Sequence, residues 1–493
     1  MVEVRSGVSL PASAATRHRL LIDGRWVDAL SHAQFEVENP ATGEVIAHAA
    51  NGDAADVNLA VAAARRAFEG PWSKLTPMAR TRLLLKLADE LEARAEEFAV
   101  RDTYDVGQPL SFARTAAKGI PDVVRYFAGW ASKMTGETMT PLAPGNWHAY
   151  TLREPVGVVG LIVPWNSPYG IAVNKLVCAL AAGCTVVLKP PEQAPLSTIL
   201  LGEVLQEIGF PDGVVNIVTG YGTTAGAALV EHPDVDKISF TGSTRTGQWI
   251  LRAAAGTMKR VTLELGGKSP VIILGDADVE RAIPAAARGI FLNTGQICLA
   301  GSRLYAHRSV FERVVNGIVD YARALRVGPG IDPGVEMGPL VSRVQLERVM
   351  GYISQGQRDG VEVVTGGSRI GQEGYFVEPT ILAKTSPGMS VMRDEIFGPV
   401  LCANVLDEDS VEAIARAAND TTYGLGATIW TRDISRAHQL AKLVRSGSVK
   451  INTAEFPETS MPFGGFKRSG IGRERDRQGV EIYTELKSVV VGL

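Results

Sequence analysis

Cysteine is scarce in this sequence, and its spacing argues against two classes of protein. The 493 residues contain four cysteines, none of them in a Cys-x-x-Cys pair. So few cysteines in so long a chain argue against a disulfide framework, and the spacing argues against a structural zinc site. We therefore expect a reducing, cytoplasmic setting and no bound metal. The four are Cys178, Cys184, Cys298 and Cys402.

Long hydrophobic runs and basic clusters are also missing. The most apolar stretches, 156–164 and 176–188, are shorter than the roughly 18 residues needed to cross a bilayer. Residues 1–20 lack the apolar core and cleavage site of a secretory signal. The net charge is -3, and no long Lys/Arg cluster is present. We therefore expect neither a membrane nor a nucleic acid as a partner.

What is present is a regular alternation of strand-like and helix-like segments without a fixed-period repeat. From residue 156 the order is strand, helix, strand, helix, strand, which predicts βαβ units suited to a nucleotide. A second set begins after about residue 265, so we expect an α/β protein with parallel sheets. Residues 53–68 and the run that starts at Thr76 predict packing helices. The turn-rich segment 136–155 predicts a hairpin, and the chain closes with a β-rich segment.

Among the cysteines, Cys298 has a different context from the other three. Cys178, Cys184 and Cys402 lie in apolar helix and strand patterns, where a cysteine is usually a small buried hydrophobe. Cys298 lies in the loop-like run NTGQICLAGSR, between a predicted helix and a predicted strand. Loops held by a rigid scaffold are where nucleophiles usually lie. Cys298 is therefore the candidate nucleophile.

A nucleophilic thiol needs a base, and the seven histidines are scattered, with none in a polar loop. Glu264, in VTLELGGKSP, interrupts an apolar strand, so burial would raise its pKa toward the range of a general base. An exposed glutamate on an edge strand is the alternative interpretation. Asn166, in IVPWNSPYG, follows a strand and could donate to an oxyanion, although asparagine there is also a common turn former.

These fragments occur together with others in a fixed order. The set resembles the NAD(P)-dependent aldehyde dehydrogenase superfamily over essentially the whole chain. The fragments are VPWN, LKPPEQ, FTGSTRTG, LELGGKSP, NTGQICLAGSR, EIFGPV, YGLGA, KINT and PFGGFKRSGIGRE.

The resemblance implies a covalent dehydrogenase. Cys298 would attack an aldehyde to give a thiohemiacetal, and the side chain of Asn166 with the backbone N–H of Cys298 would hold its oxyanion. Loss of hydride would leave a thioester, which water activated by Glu264 would hydrolyse. Lys175 and Glu474 match residues that the family uses to relay the proton outward.

The resemblance also implies a dinucleotide site. Ser243 and the helix that follows it would face the pyrophosphate. Lys189 and Glu192 match the adenosine-ribose site, and Glu395 matches the nicotinamide-ribose site with Phe397 beside the ring. Because the Glu192 carboxylate would repel a 2'-phosphate, NAD is favoured over NADP. The other residues matched to the cofactor site are Ile162, Val163, Pro164, Trp165, Gly222, Gly226, Phe240, Thr241, Gly242, Thr246, Leu265, Gly266 and Gln345.

The implied fold is that of an aldehyde dehydrogenase: a Rossmann-type cofactor domain, an α/β catalytic domain and a small β oligomerisation domain. The small β domain would expose an unpaired strand edge, so we expect a homodimer or homotetramer. The expected division is 1–133 and 152–263 for NAD binding, 264–453 for catalysis, 134–151 and 475–493 for oligomerisation, and 454–474 for a pocket and anchor loop.

The sequence differs from familiar members of the family at positions that border the substrate pocket in those members. Ser167 and Asn174 stand at positions that often carry aromatic rings, which predicts a wider or more polar entrance. The segment 453–465 carries Glu455 and Glu458 and no arginine. On this basis we expect a bulky neutral aldehyde rather than a negatively charged semialdehyde.

Three other functions stay open at this point. A relative that passes its thioester to coenzyme A typically lacks the base matched by Glu264. A binding protein that kept the fold but lost catalysis would not need Cys298, Asn166 and Glu264 together. A thioesterase without a cofactor would leave the segments EIFGPV and FTGSTRTG unexplained.

Overall fold

A computed structural model describes residues 8–12, 17–455 and 458–493. Part of the N-terminal stretch in which we expect no secretory signal lies outside the described residues. Two positions of the segment 453–465, Phe456 and Pro457, also lie outside them.

Helices account for much of the chain, and short π-helical turns (Phe68–Trp72, Gly222–Gly226) and 3-10 turns (Leu292–Gly295, Lys467–Ser469) adjoin or follow them. The α-helices are α1 Ala54–Ala67, α2 Pro77–Ala93, α3 Ala95–Asp105, α4 Leu110–Ala128, α5 Pro168–Ala182, α6 Leu196–Glu207, α7 Ala227–Glu231, α8 Thr244–Ala255, α9 Val279–Phe291, α10 Phe311–Ala324, α11 Arg343–Arg358, α12 Ser390–Arg393, α13 Val411–Asn419, α14 Ile434–Leu443 and α15 Asp476–Glu481.

The strands form four sheets. They are β1 Arg17–His18, β2 Leu20–Ile22, β3 Arg25–Val27, β4 Gln34–Asn39, β5 Glu44–Ala50, β6 Thr138–Met139, β7 Trp147–Pro155, β8 Val158–Ile162, β9 Thr185–Lys189, β10 Val215–Ile217, β11 Lys237–Thr241, β12 Arg260–Glu264, β13 Pro270–Ile273, β14 Arg303–His307, β15 Glu362–Thr365, β16 Thr380–Ala383, β17 Val400–Leu406, β18 Gly426–Trp430, β19 Ser448–Ile451, β20 Gly470–Ile471 and β21 Thr484–Gly492.

The predicted packing helices are present, and their caps follow from the sequence. The Asp53 side chain accepts a hydrogen bond from the backbone of α1, and Thr76 caps α2, which has Pro77 in its first turn. The run that begins at Thr76 is not one helix, because the backbone at Arg94 leaves helical geometry (φ -103°, ψ 15°) and separates α2 from α3. The periodicity of the apolar residues continues across this break, so the pattern alone does not reveal it.

The larger sheet has the strand order β20-β12-β11-β8-β9-β10-β2-β3. Its five central strands, β12 to β10, are parallel, whereas β20 pairs antiparallel with β12, β2 with β10 and β3 with β2. The chain runs from β8 to β9 and β10, then returns to the other side of β8 to form β11 and β12. The order therefore reverses between β8 and β11, and ligands of open α/β sheets bind at the carboxyl ends of the strands at such a point.

The second sheet has the order β15-β16-β17-β14-β13-β18-β19, and all its neighbours are parallel except β15 and β16. All of its strands lie within the predicted catalytic region 264–453. Both large sheets are packed with buried apolar side chains, as expected for parallel sheets covered by helices. Among the described residues, no helix is long and apolar enough to cross a membrane.

The predicted hairpin and the C-terminal strand form a sheet of their own, in the order β21-β7-β6. The long strand β7 pairs antiparallel with β21 along its whole length and with β6 at its start. Strand β7 continues to Pro155, four residues beyond the predicted boundary at 151. A further short sheet, β1-β5-β4, lies near the N-terminus.

Candidate active site

The loop that carries Cys298 is shaped by three consecutive residues in the left-handed region. Helix α9 ends at Phe291, and Asn293, Thr294 and Gly295 follow with φ values of 49°, 57° and 70°. At Gly295 a Cβ atom would lie 2.1 Å from the carbonyl oxygen of Gly398, so only glycine fits there. The reversal carries the chain from α9 toward β14.

The turn leaves Cys298 partly exposed. Cys298 is half-buried, whereas Cys178, Cys184 and Cys402 are fully buried and none of the four forms a disulfide. Burial raises the pKa of the Cys298 thiol to about 12, and the charges of Glu395 and Glu264 add to the shift. The thiol is therefore protonated at neutral pH and must lose its proton as it attacks.

Asn166 lies beside this loop, between β8 and α5. Its side-chain nitrogen donates to the carbonyl oxygen of Gln296 at 2.8 Å. The main-chain carbonyl oxygen of Asn166 accepts from the amide side chains of Gln108 at 2.9 Å and Asn293 at 3.0 Å. Because an amide NH2 group has two hydrogens, this network orients Asn166 and leaves one hydrogen for a ligand near Cys298.

Glu264 ends strand β12 and is buried, with 3% of its surface exposed. Its strand lies between β11 and β20, so the alternative of an exposed edge-strand glutamate is wrong. Among the described residues neither carboxylate oxygen has a hydrogen-bond partner. Burial raises the pKa of Glu264 well above its usual value, and the charge of Glu474 raises it further.

The main chain also brings Glu264 close to the thiol loop. Gly267, three residues after Glu264, approaches the loop so closely that a Cβ would lie 2.5 Å from the carbonyl oxygen of Cys298. On the other side, a Cβ at Gly464 would lie 2.8 Å from Oε1 of Glu264. A larger residue at either glycine would fill the space around the carboxylate and the thiol.

Behind Glu264 lies a buried ion pair between Lys175 on α5 and Glu474. The Lys175 ammonium group also donates to the hydroxyl of Ser239 at 2.9 Å, and that hydroxyl is 3.3 Å from Oε1 of Glu474. The pairing satisfies two charges that would be costly to bury alone. The structure thus places Lys175 and Glu474 together, next to the carboxylate that they were expected to serve.

The cofactor segments meet at the carboxyl ends of β8 and β11. Ile162 and Phe240 are paired across these strands, and Ser243 caps α8 by accepting a hydrogen bond from the backbone N–H of Thr246 at 3.2 Å. The N–H of Gly242 donates to the carbonyl oxygen of Glu264 at 3.0 Å. The turn before α8 is therefore tied directly to the end of β12.

A second group of cofactor candidates lies at the end of β9. The Lys189 ammonium group donates to Oε2 of Glu192 at 2.8 Å, and Lys189 is almost fully buried while Glu192 is partly exposed. Gly226 lies beside the Lys189 side chain, at the end of the π-helical turn that begins at Gly222. The backbone N–H of Val163 reaches the carbonyl oxygen of Lys189 at 3.3 Å, which joins this group to β8.

The third group surrounds Glu395. Its Oε1 accepts from the N–H of Gly267 at 2.8 Å, and a Cβ at Gly266 would lie 2.1 Å from its Oε2. Burial raises the pKa of Glu395 to about 7. The Phe397 ring meets Trp165 edge to face at 5.3 Å, and the Gln345 amide donates to the Phe397 carbonyl oxygen at 2.7 Å.

Comparison with known proteins decides the family. The model of the aldehyde dehydrogenase family matches residues 26–489. The mitochondrial aldehyde dehydrogenase of Leishmania tarentolae is 46% identical over 482 residues, which cover 97% of this chain and 96% of that protein. The chain belongs to the aldehyde dehydrogenase family.

Two further similarities accompany this aldehyde dehydrogenase. The phenylacetaldehyde dehydrogenase of Pseudomonas fluorescens is 44% identical over 493 residues, which cover 98% of each chain. The structure of an aldehyde dehydrogenase from Bacillus cereus in complex with NAD+ is 45% identical, with a TM-score of 0.96, and the match covers 99% of this chain and 100% of that one. The predicted fold class is confirmed.

Sequence reasoning missed several side chains of this aldehyde dehydrogenase that the structure places in the site. Ser239, within strand β11, bridges Lys175 and Glu474. The signal in the sequence that could have identified it is a polar residue inside a buried strand. Arg475 directly follows Glu474, and its positive charge lowers the pKa of both Glu264 and Cys298. Lys450, on β19, also interacts electrostatically with Cys298.

Proposed function

We propose that this enzyme oxidises an aldehyde to the carboxylic acid with NAD, through a thiohemiacetal and a thioester on Cys298. The observation that carries the proposal is the convergence of three groups: an accessible thiol, an oriented amide at Asn166 and a buried carboxylate at Glu264 without a partner. A nucleophile, an oxyanion donor and a base within one site are the parts that acyl chemistry requires.

The residues present fit a dinucleotide. The Thr241 hydroxyl is buried without a partner among the described side chains, and the N-terminus of α8 lies two residues beyond it. Glu395 and the pair of Lys189 and Glu192 would bind ribose hydroxyls. When bound, NAD supplies a nicotinamide ring that accepts the hydride lost by the substrate carbon. The chain's own residues account for the remaining chemistry.

As the sulfur of Cys298 bonds to the aldehyde carbon, the thiol proton passes to water and negative charge develops on the former aldehyde oxygen. The free amide hydrogen of Asn166 and the backbone N–H of Cys298 would hold this oxygen. Such preoriented donors contribute about 3 kcal/mol each to transition-state stabilisation. The carbonyl oxygen of Gln296 holds the Asn166 side-chain amide in advance. Gln108 and Asn293 hold the main chain of Asn166, so little reorganisation is needed when the charge develops.

Hydrolysis of the thioester requires a base, and Glu264 fits this role. Its carboxylate has a raised pKa and two oxygens without partners, so it can accept a proton from a water molecule directed at the thioester carbon. Glu474, whose charge acts on Glu264 and which is held by Lys175 and Ser239, would take the proton further.

The pair of Lys189 and Glu192 sets the expected preference for NAD over NADP. The Glu192 carboxylate can accept from ribose hydroxyls but repels a 2'-phosphate. Lys189 already donates to Glu192 and is almost fully buried, so its charge is partly compensated before a phosphate arrives. NADP should therefore support a lower kcat/KM than NAD.

The first experiment follows the absorbance of reduced nicotinamide with purified enzyme, NAD and short, aromatic and carboxylated aldehydes, without coenzyme A. We expect turnover that Cys298→Ser abolishes and that Cys184→Ala, a change at a buried cysteine between α5 and β9, retains. Turnover only with coenzyme A would replace hydrolysis by acyl transfer, and turnover only with NADP would reverse the cofactor preference. No turnover under any condition would contradict the proposal.

A further inference from the structure

Helix α8 carries one aromatic residue, Trp249, and its ring is partly open to solvent. The side chain is 36% exposed, although burial of so large an apolar ring is favourable. Within the described parts of the chain, no other aromatic ring or cation contacts the face of this indole. One side of the ring is therefore available to a ligand.

Trp249 lies on the face of α8 that also carries a candidate cofactor residue. Thr246 stands one turn earlier, and residues three apart in an α-helix share a face. At about 1.5 Å per residue, Trp249 lies about 9 Å along the helix axis from Ser243, which caps the helix. A base joined through one ribose to a pyrophosphate at the N-terminus of α8 can span such a distance. The buried side of the helix is formed by Gly247, Ile250 and Ala254.

The π-helical turn Gly222–Gly226 borders the same region. This turn leads directly into α7, and α7 packs beside α8. The first three residues of the turn, 222–224, are exposed, and a Cβ at Gly222 would meet no atom within 4 Å. The turn therefore leaves open space near the helix that carries Trp249.

The proposed ribose sites indicate which end of a dinucleotide would lie here. The side chain of Lys189, which with Glu192 matches the adenosine ribose, lies 3.9 Å from the position of a Cβ at Gly226. The adenosine ribose would therefore be next to the turn. The nicotinamide ribose would lie at Glu395 instead. The adenine ring is thus the part of NAD that would lie between the turn and α8.

Tyr221 is the other exposed aromatic residue of this region, directly before the turn. Its ring already packs against Phe35, with the two ring centroids 5.6 Å apart. Trp249 is therefore the aromatic residue with a free face at the place where the adenine would lie.

Building on the proposed function, which supplies the cofactor, we propose that the indole ring of Trp249 stacks on the adenine ring of NAD. The adenine would lie between Trp249 and the turn Gly222–Gly226, with its ribose at Lys189. Because the base is uncharged, this contact adds affinity that does not depend on the balance of charges around the ribose and the pyrophosphate. Trp249 would thus bind the adenosine half of the cofactor.

AMP contains the adenine and its ribose without the nicotinamide, so it tests this contact without turnover. Calorimetric titration of the purified enzyme gives the Kd for AMP and the Kd for NAD. Removal of a stacked aromatic ring weakens the binding of a base by roughly 5-fold to 100-fold. We therefore expect Trp249→Ala to raise both Kd values by about tenfold or more, and Trp249→Phe, which keeps an aromatic ring, to raise them by less than about threefold.

Tryptophan fluorescence provides a second measurement. AMP should quench the emission of the unaltered enzyme, because a stacked base quenches an indole on contact. Trp165 lies beside Phe397, at the proposed nicotinamide end that AMP does not reach. The quenching should therefore be lost in Trp249→Phe, although that variant still binds AMP. Quenching that persists in Trp249→Phe would contradict the proposal.

Leu251→Ala is the matched control. Leu251 is 39% exposed and lies on the same helix, but two residues further on it points to another side. Its Kd for AMP should equal that of the unaltered enzyme. A Kd for AMP that is the same in Trp249→Ala and in the unaltered enzyme overturns the proposal. If sedimentation velocity then shows a smaller assembly for Trp249→Ala, Trp249 belongs to a subunit contact instead.

The outcomes separate this contact from the proposed function. Unchanged Kd values for AMP and NAD in Trp249→Ala would remove the stacking contact and leave the NAD site in place. An unaltered enzyme that binds neither AMP nor NAD would contradict both. If the Kd for AMP responds to Trp249 while no aldehyde is oxidised, the proposed dehydrogenase function fails and the adenine site stands.

Discussion

At the scale of single residues, the proposed acid-base chemistry of this site rests on carboxylates rather than on histidine. Glu264, Glu395 and Glu474 lie around the thiol, and burial is the largest cause of the raised pKa values of Glu264 and Glu395. Glu264 and Glu395 should therefore gain their protons at a higher pH than carboxylic acids in model compounds do, and each protonation changes the charge that acts on the neighbouring groups.

The first prediction separates the two halves of the proposed reaction. Glu264→Gln keeps the volume of the side chain but removes the base, so hydrolysis should slow by about 100-fold to 10,000-fold while thioester formation continues. Rapid mixing with NAD and aldehyde should then show a burst of one reduced nicotinamide per subunit, followed by slow turnover. Glu455→Gln, at an exposed position, should show no burst beyond that of the unaltered enzyme. A Glu264→Gln variant with an undiminished steady-state rate would exclude the proposed base.

The second prediction concerns Glu395 and the binding of NAD. Its pKa is raised to about 7 by burial, so the carboxylate gains a proton as the pH falls through 7. Because ribose hydroxyls need the ionised carboxylate as acceptor, the Kd for NAD should rise below pH 7 and level off above it. Titration by quenching of protein fluorescence between pH 5.5 and 8.5 measures this. In Glu395→Gln the Kd should be higher and independent of pH over this range, and a flat profile for the unaltered enzyme would refute the assignment.

At the scale of elements, the sequence predicted most of the strands and helices that position the site. The strand before Asn166, the helix after Ser243 and the loop around Cys298 were all placed correctly because strand ends and helix starts leave local signals. The break at Arg94 and the left-handed run at Asn293 left no such signal. Both backbone conformations depend on contacts with other segments of the chain. The periodicity of apolar residues carries no information about those contacts.

The third prediction tests the left-handed run before the thiol. Gly295→Ala introduces a Cβ at φ of 70° and 2.1 Å from a carbonyl oxygen, so the loop must shift. We expect a lower melting temperature, with a loss of about 2 kcal/mol or more, and a lower kcat because the thiol moves with the loop. Thermal unfolding followed by circular dichroism, together with single-turnover kinetics, measures both effects.

Gly289→Ala provides the matched control for that change. Gly289 lies within α9, and a Cβ there would meet no atom within 4 Å. Alanine favours a helix over glycine by about 1 kcal/mol, so this variant should be as stable as the original or slightly more so. Equal behaviour of the two variants would show that the left-handed turn is not needed.

At the scale of the whole molecule, the sheet of β6, β7 and β21 presents a long strand at its edge. Along the nine residues of β21, Leu486 is 58% exposed and Val490 is 63% exposed. An exposed apolar edge strand of this length usually pairs with another chain or is protected by charges. This observation supports the prediction that the enzyme is a homo-oligomer.

The fourth prediction follows from this edge. Val490→Lys should reduce the mass of the assembly in sedimentation velocity, because a charge would be buried at the contact. Ile434→Lys is the control, since Ile434 is also 63% exposed but lies at the start of helix α14. A mass that is unchanged in Val490→Lys, or changed equally in both variants, would place the contact elsewhere.

The arrangement of the whole site shows what a linear reading of the sequence can and cannot provide. The motifs gave Cys298, Glu264 and Asn166 because each stands out from its surroundings in a short stretch of chain. Lys450 and Arg475 did not stand out, since a lysine in an edge strand and an arginine among other charges are ordinary features. Their importance depends on distance in space from the thiol, and only the folded chain supplies that distance.

The backbone bond from Gly242 to the carbonyl oxygen of Glu264 has a consequence for how such an enzyme can diversify. In the proposed function, Glu264 holds the cofactor turn with its main chain and activates water with its side chain, so mutations there disturb both functions together. Inheritance of the oxidative chemistry is therefore tightly constrained at this one position.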